Sequence, residues 1–224
     1  MKHLILYVSL LCFGLICSSC QNEQEEQKGT LMVSTPIVAQ SHNVVLKTRT
    51  VDDDLQLDIL NDASQVIRTF APGELTMPQK IELDAGTYTV RSYTTNWQQT
   101  YSGNEKGEAK YFTKETLVIQ PECLKVLKCE VPMSNSKWVL TEIEGEGTWI
   151  QSYAFHLKTK GRDCTLQSGD YAFMEVGALT LELELTNTDG EVFHLTRTYE
   201  AQPNTCYNVK FTLTPEPALN IQRK

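Results

Sequence analysis

Glu182 and Glu184 are a carboxylate pair of the kind that acid/base chemistry uses. Two apart on a strand they point the same way, whereas a glycosidase holds its carboxylates facing one another across the scissile bond. Alternation with Leu179, Leu181, Leu183 and Leu185 already accounts for them as the solvated face of a half-buried strand. Asp52-Asp53-Asp54 offers oxygens to a hard cation, but calcium loops space their ligands at alternate positions around a Gly turn, and this run has neither feature. His42, His156 and His194 show no ligand spacing, and neither HExxH nor a paired CxxC occurs. GxSxG, GxxxxGKS and GxGxxG are absent too. The residues therefore predict no catalytic site, no metal and no cofactor.

The seven cysteines divide by position. Cys12 and Cys17 lie in the apolar leader, Cys20 follows it, and Cys123, Cys129, Cys164 and Cys206 remain. Four cysteines allow three connectivities in an exported compartment, and buried free thiols are the alternative. Cys123 and Cys129 would stand ~20 Å apart along an unbroken strand, too far for a bridge.

Met1-Lys2-His3 precedes an uncharged run from Leu4 to Ile16. That run is too short to span ~30 Å of hydrocarbon and reads as a signal-peptide core. Small Ser19 then precedes Cys20 and a polar stretch, Gln21 to Lys28, with no large apolar residue. The segment resembles the lipobox of bacterial lipoproteins, with Cys17 where Leu is usual. The resemblance implies cleavage after Ser19, acylation of Cys20 by a fatty chain such as palmitate, and a solvated tether. The acidic tether also resembles the export signal of Bacteroidetes surface lipoproteins, which implies an outer-membrane anchor facing the cell surface.

Positioning elements are strands throughout. With 20 Lys plus Arg against 28 Asp plus Glu, the net charge of −8 argues against nucleic acid as a partner. A hydrophobic fraction of 41% supports packed cores, and the length suits two small β-domains. From Gly29 onward the apolar period is two, with turns every eight to twelve positions. Leu55, Leu57 and Ile59 pair back to Val66–Phe70 as a hairpin. Met77 to Leu83 leads through Asp84-Ala85-Gly86, where Gly86 is expected to take φ > 0, into Thr87 to Val90. Thr116 to Ile119 and Leu124 to Val131 follow, and Pro132 to Ser136 marks a boundary. Lys137 to Ile143, Thr148 to Leu157, Leu179 to Leu185, Glu191 to Tyr199 and Tyr207 to Leu213 complete the second half. The predicted fold is all-β: two tandem antiparallel β-sandwich domains after a signal peptide. The segments are 1–19 signal peptide, 20–28 lipidated cysteine and tether, 29–133 and 134–214 sandwiches, and 215–224 a disordered tail.

Trp97 and Tyr101 sit in a polar loop near Tyr93 and Tyr111. They either cap the end of a core or offer aromatic faces to a sugar ring or a partner protein. Gly29-Thr30-Leu31, Thr48 to Asp52, Met77-Pro78, Ile81-Glu82-Leu83, Ala85-Gly86-Thr87-Tyr88-Thr89-Val90 and Cys129, with the Asp189-Gly190 hairpin, resemble the Bacteroidetes lipoproteins of domain of unknown function 4493. That family is similar in style to fimbrial subunits and anchors built from two transthyretin-like, Greek-key sandwiches. The resemblance implies a non-enzymatic role in surface adhesion or fimbrial-type assembly through β-strand pairing. It also implies a processing site at Arg49, where related fimbrial subunits are cut by an arginine-specific protease. The alternative is a glycan-binding accessory lipoprotein of a polysaccharide-use system. Neither the ligand, the disulfide state nor the oligomeric state is legible.

Overall fold

The computed structural model describes residues 28–33, 38–40, 55–75, 79–127, 130–213 and 217–223. Cys20, His42, Arg49, Asp52 to Asp54 and Cys129 lie outside the described residues. Every regular element described is a strand, so the protein is all-β.

The first half runs β1 (Lys28–Val33), β2 (Val38–Gln40), β3 (Leu55–Leu60), β4 (Val66–Phe70), β5 (Gln79–Asp84), β6 (Gly86–Thr94), β7 (Phe112–Ile119), β8 (Leu124–Leu127) and β9 (Glu130–Pro132). One sheet has the order β4-β3-β6-β7 and another β5-β1-β8, while β2 pairs with β9. Alternate residues of the two larger sheets fill a shared interior that includes Leu31, Leu57, Ile59, Ile81, Val90 and Leu117. Period-two apolar patterning thus becomes a sandwich core, because successive strand side chains face opposite ways.

The second half runs β10 (Ser136–Ile143), β11 (Ile150–Thr159), β12 (Arg162–Leu166), β13 (Tyr171–Met174), β14 (Gly177–Asn187), β15 (Val192–Ala201), β16 (Thr205–Thr212) and β17 (Ala218–Arg223). Its sheets are ordered β12-β11-β14-β15 and β13-β10-β16-β17. A separate buried cluster lies between them, centred on Trp138, which stacks on Tyr207 at 4.1 Å and meets Tyr199 edge-on at 5.7 Å. Asn187 builds the β14–β15 turn, its Oδ1 accepting the amides of Asp189 and Glu191.

Several sequence expectations are corrected. Three pairings are parallel rather than antiparallel: β1 with β8, β10 with β16 and β2 with β9. The Asp84–Gly86 turn closes no hairpin, since β5 pairs with β1 and β6 with β3. Gly86 opens β6 and is not among the residues with φ > 0. Alternation marks which face of a strand is buried but not which strand lies beside it. The tail after Pro217 is not disordered: β17 pairs antiparallel with β16 and buries Leu219. Its Leu219/Ile221 alternation was too short to stand out beside the preceding prolines.

One polar cluster is built on a sheet face of the first half. Asp58 is only 2% exposed, and on neighbouring strands Thr69 and Arg91 stand opposite it. Arg91 donates through Nε (2.9 Å) and Nη2 (2.7 Å) to Oδ2, where Tyr93 also donates (2.8 Å). Thr69 and Gln56 donate to Oδ1 at 2.8 and 3.2 Å. Burial alone would push this carboxyl up, but the bonds from Tyr93, Arg91, Thr69 and Gln56 outweigh it and hold the pKa below the ordinary carboxylate range. With every lone pair engaged, the cluster is a cross-strand staple.

Asp58→Asn takes the charged acceptor away from four donors and leaves Arg91, about a third exposed, to water, so it is expected to cost about 1–3 kcal/mol at neutral pH. A depressed folded pKa stabilises fully above the unfolded value of about 3.9 and is lost as pH falls through the lower folded value. Urea unfolding from pH 7 down to pH 2 should therefore show the gap between wild type and Asp58→Asn closing only in the acid range.

Candidate functional site

Strand register orders the molecule from end to end. Lys28, the first residue of β1, accepts the amide of Glu122 through its carbonyl and lies with the β7–β8 turn at one end of the first half. β6 starts at that end, with Gly86 opposite Ile119, and finishes at Thr94 on the other. From there the loop 95–111 reaches the second half.

That loop is a clamp. Arg162 at the start of β12 is 6% exposed and donates Nη1 to the Phe173 carbonyl (2.6 Å) and Nε and Nη2 to the Glu105 carbonyl. Gly103 bridges Arg162 and accepts the Asp163 amide, while Phe173 N donates to Lys106 O at 2.8 Å. Lys106 Nζ reaches Thr165 O and Asp170, and Lys110, 4% exposed, pairs with Glu175. Asn135 Nδ2 donates to Glu108 O (2.8 Å), and its Oδ1 accepts Lys110 N (3.1 Å). Buried cations are tolerated here because carbonyls and carboxylates replace water around them.

Trp97 and Tyr101 belong to this construction. Trp97 is half-buried, stacked on Phe112 at 4.5 Å and tilted against Tyr93 at 5.6 Å. The Tyr101 ring lies between Lys110 Nζ at 5.2 Å and the Arg162 guanidinium at 5.5 Å. Their aromatic rings meet the protein's own side chains. Two-residue pattern reading had no way to see Arg162 waiting across the chain.

The far end of the second half carries a groove that sequence reading missed. The Gly145–Trp149 turn, the Asn187–Glu191 turn and the end of β16 meet there. Trp149 N donates to Gly145 O (3.0 Å), Thr188 N to Trp149 O (2.9 Å) and Leu213 N to the Glu144 carboxylate (2.9 Å). Leu185 and Phe211, both buried, form the floor of a cavity of about 280 Å³, with Trp149, Phe193 and Leu195 as walls and His194 and Pro217 on the rim. Phe193 faces Trp149 at 5.6 Å yet stays 36% exposed, because β15 is the last strand of its sheet. Farther along, Arg197 Nη1 ties β15 to the Leu219 carbonyl of β17 at 2.7 Å. The only sequence trace of the groove was Phe193 beside Val192 on a strand edge.

Other candidates stay apart. Glu182 accepts Lys158, and Glu184 sits 3.4 Å from His194 across the β14–β15 ladder, so the two carboxylates are partnered separately on a solvated face. His156 Nδ1 contacts Asp163 at 2.7 Å. Cys123 and Cys164 are free thiols, Cys123 exposed and Cys164 buried, and burial pushes the Cys164 thiol up; Cys206 is buried. Among the described residues no group of three or more His, Cys, Asp and Glu is placed to hold a metal ion.

No family model matches the chain, and no curated protein matches it. The fold is similar to that of a "putative cell adhesion protein" from Bacteroides uniformis at 11% identity and a TM-score of 0.51, covering 89% of this chain and 98% of that one. A protein of the same description from Bacteroides eggerthii matches at 7% identity and 0.48, covering 88% and 95%. The fimbrial anchor protein of Porphyromonas gingivalis matches at 8% and 0.44, covering 86% and 96%.

Two outcomes follow from this geometry. Gly107 sits at φ +69°, and a Cβ there would meet Phe173 O at 3.0 Å and Arg162 Nη2 at 3.1 Å. Gly107→Ala is expected to cost about 1–3 kcal/mol and to separate the melting of the two cores, giving two calorimetric transitions instead of one. In the groove, Leu185→Ala should cost roughly 2–5 kcal/mol in chemical denaturation, because it hollows the floor. Phe193→Ser should cost less than Leu185→Ala there, since Phe193 is already 36% exposed.

Proposed function

We propose that the chain is a lipid-anchored cell-surface adhesion protein that works by binding, not by catalysis. The observation that carries this reading is the end-to-end arrangement: chain entry at Lys28, a polar clamp in the middle and an aromatic groove at the opposite end. Such an order suits a tether at Cys20 that holds the groove away from a membrane. The two separate cores support two sandwich domains, 29–133 and 134 onward, the second running through β17. The likeness to the Bacteroides uniformis protein agrees with an adhesion role.

Outer-membrane attachment is the reading supported by the lipobox-like segment with the acidic stretch after it, and a relation to domain of unknown function 4493 the one supported by the segments quoted above. Fimbrial-type assembly by strand pairing is supported by β15, whose outer edge carries no ladder partner among the described residues. Arg49 is the place where processing would expose further pairing surface. The adhesion reading is favoured over the glycan-accessory reading because Trp97 and Tyr101 are engaged by Phe112, Lys110 and Arg162.

Cells fed a radioactive fatty acid should label the wild-type chain and leave Cys20→Ser unlabelled and shed or retained in soluble form. Surface adhesion should fall with Cys20→Ser to the level of a strain lacking the gene. An equally labelled Cys20→Ser variant would remove the anchor from the account.

A further inference from the structure

The chemistry of the far-end groove narrows what it accepts, given the surface-binding role on which this step rests. The walls and floor are Trp149, Phe193, Leu195, Leu185 and Phe211, while His194, between Phe193 and Leu195 on β15, turns its imidazole to Glu184 on the solvated face of the strand. A saccharide ring presents hydroxyls in several directions, and each one buried without a partner weakens binding. So apolar a lining cannot satisfy them. A large apolar side chain carries no such penalty and gains from leaving water.

Size agrees. An apolar cavity of about 150 Å³ already holds benzene, and drug-sized ligands occupy about 300 Å³ or more. At about 280 Å³ the groove suits one aromatic or long aliphatic side chain with its stem.

Charge then selects the surroundings of that side chain. Glu144 and Glu146 lie on or beside the Trp149 turn, and Asp189 and Glu191 on or beside the adjacent turn. Against them stands Arg197, whose Nη1 is held by the Leu219 carbonyl, while Lys210 is matched by Glu142 at 2.7 Å. The rim is therefore net acidic, and such a field draws cationic partners and repels anionic ones.

We infer that the groove is a docking site for a segment of a partner protein that inserts one large apolar side chain flanked by lysine or arginine. Nothing in the lining requires the segment to add a strand; the anchor is the inserted side chain and the specificity is the basic flank.

The test uses the isotope-labelled mature chain, residues 21–224, titrated with the capped pentapeptide Lys-Thr-Phe-Thr-Lys. Saturable shifts of the Trp149 indole and the His194 amide are expected. Replacing both lysines by glutamate, or the phenylalanine by alanine, should weaken binding at least tenfold, and raising salt from about 50 to about 300 mM should weaken it several-fold. Phe193→Ser, with its spectrum otherwise unchanged, should abolish the shifts, and Asp189→Lys should reduce affinity without touching the floor. Equal binding of the glutamate peptide, no saturable shift with the lysine peptide, or saturation by maltotetraose or cellotetraose instead would each overturn the assignment. Cells carrying Phe193→Ser that adhere like wild type would also overturn it while leaving the adhesion reading intact. Equal adhesion with and without the gene would defeat the adhesion reading, and the peptide titration would still judge the groove.

Discussion

A buried guanidinium holds this molecule in one piece. Arg162 places its charge where almost no water reaches it, and three of its nitrogens donate to two carbonyls, Phe173 on its own half and Glu105 on the other. A cation so placed is stable only if those acceptors stay fixed, because an unpaired buried charge costs several kcal/mol. The loop 95–111 is therefore ordered by what it must satisfy. Lys110, buried under Tyr101 and paired with Glu175, repeats the same logic a few residues on. Hydrophobic burial builds two cores; these polar contacts decide how the cores are joined.

The consequence for function is geometric. Separate cores joined by a flexible linker would point a binding site in every direction, as inter-domain contacts are often small and mobile. Here backbone hydrogen bonds, a β-bridge at Gly103 and side-chain bonds from Asn135 cross the junction together. The groove at Trp149 and Phe193 is thus carried at the end opposite Lys28, the arrangement a surface anchor would exploit.

Much of the fold was legible in the sequence because period-two alternation is strong wherever one strand face is buried. Leu179 to Leu185, Leu55 to Ile59 and Tyr207 to Phe211 all lie in strands. What failed to read was everything non-local. The parallel pairing of β1 with β8 joins residues about a hundred positions apart, and nothing in either segment names its partner. For Trp97 and Tyr101 the sequence left capping of a core and ligand contact both open, because the residues they meet, Phe112 and Arg162, are remote or unremarkable in sequence. The groove was hidden for the same reason: Trp149, Phe193 and Phe211 come from three separate elements, and only the folded chain sets them together.

The central claim is that the two halves are locked, and a distance measurement tests it most directly. Cys123 is an exposed thiol at the Lys28 end, and Asp189→Cys would add one at the groove end. Spin labels on these two positions, in a chain with Cys129→Ser, should give a single narrow distance distribution that broadens when Arg162→Gln removes the clamp. A broad distribution in the chain with Arg162 intact, unchanged by Arg162→Gln, would contradict the account.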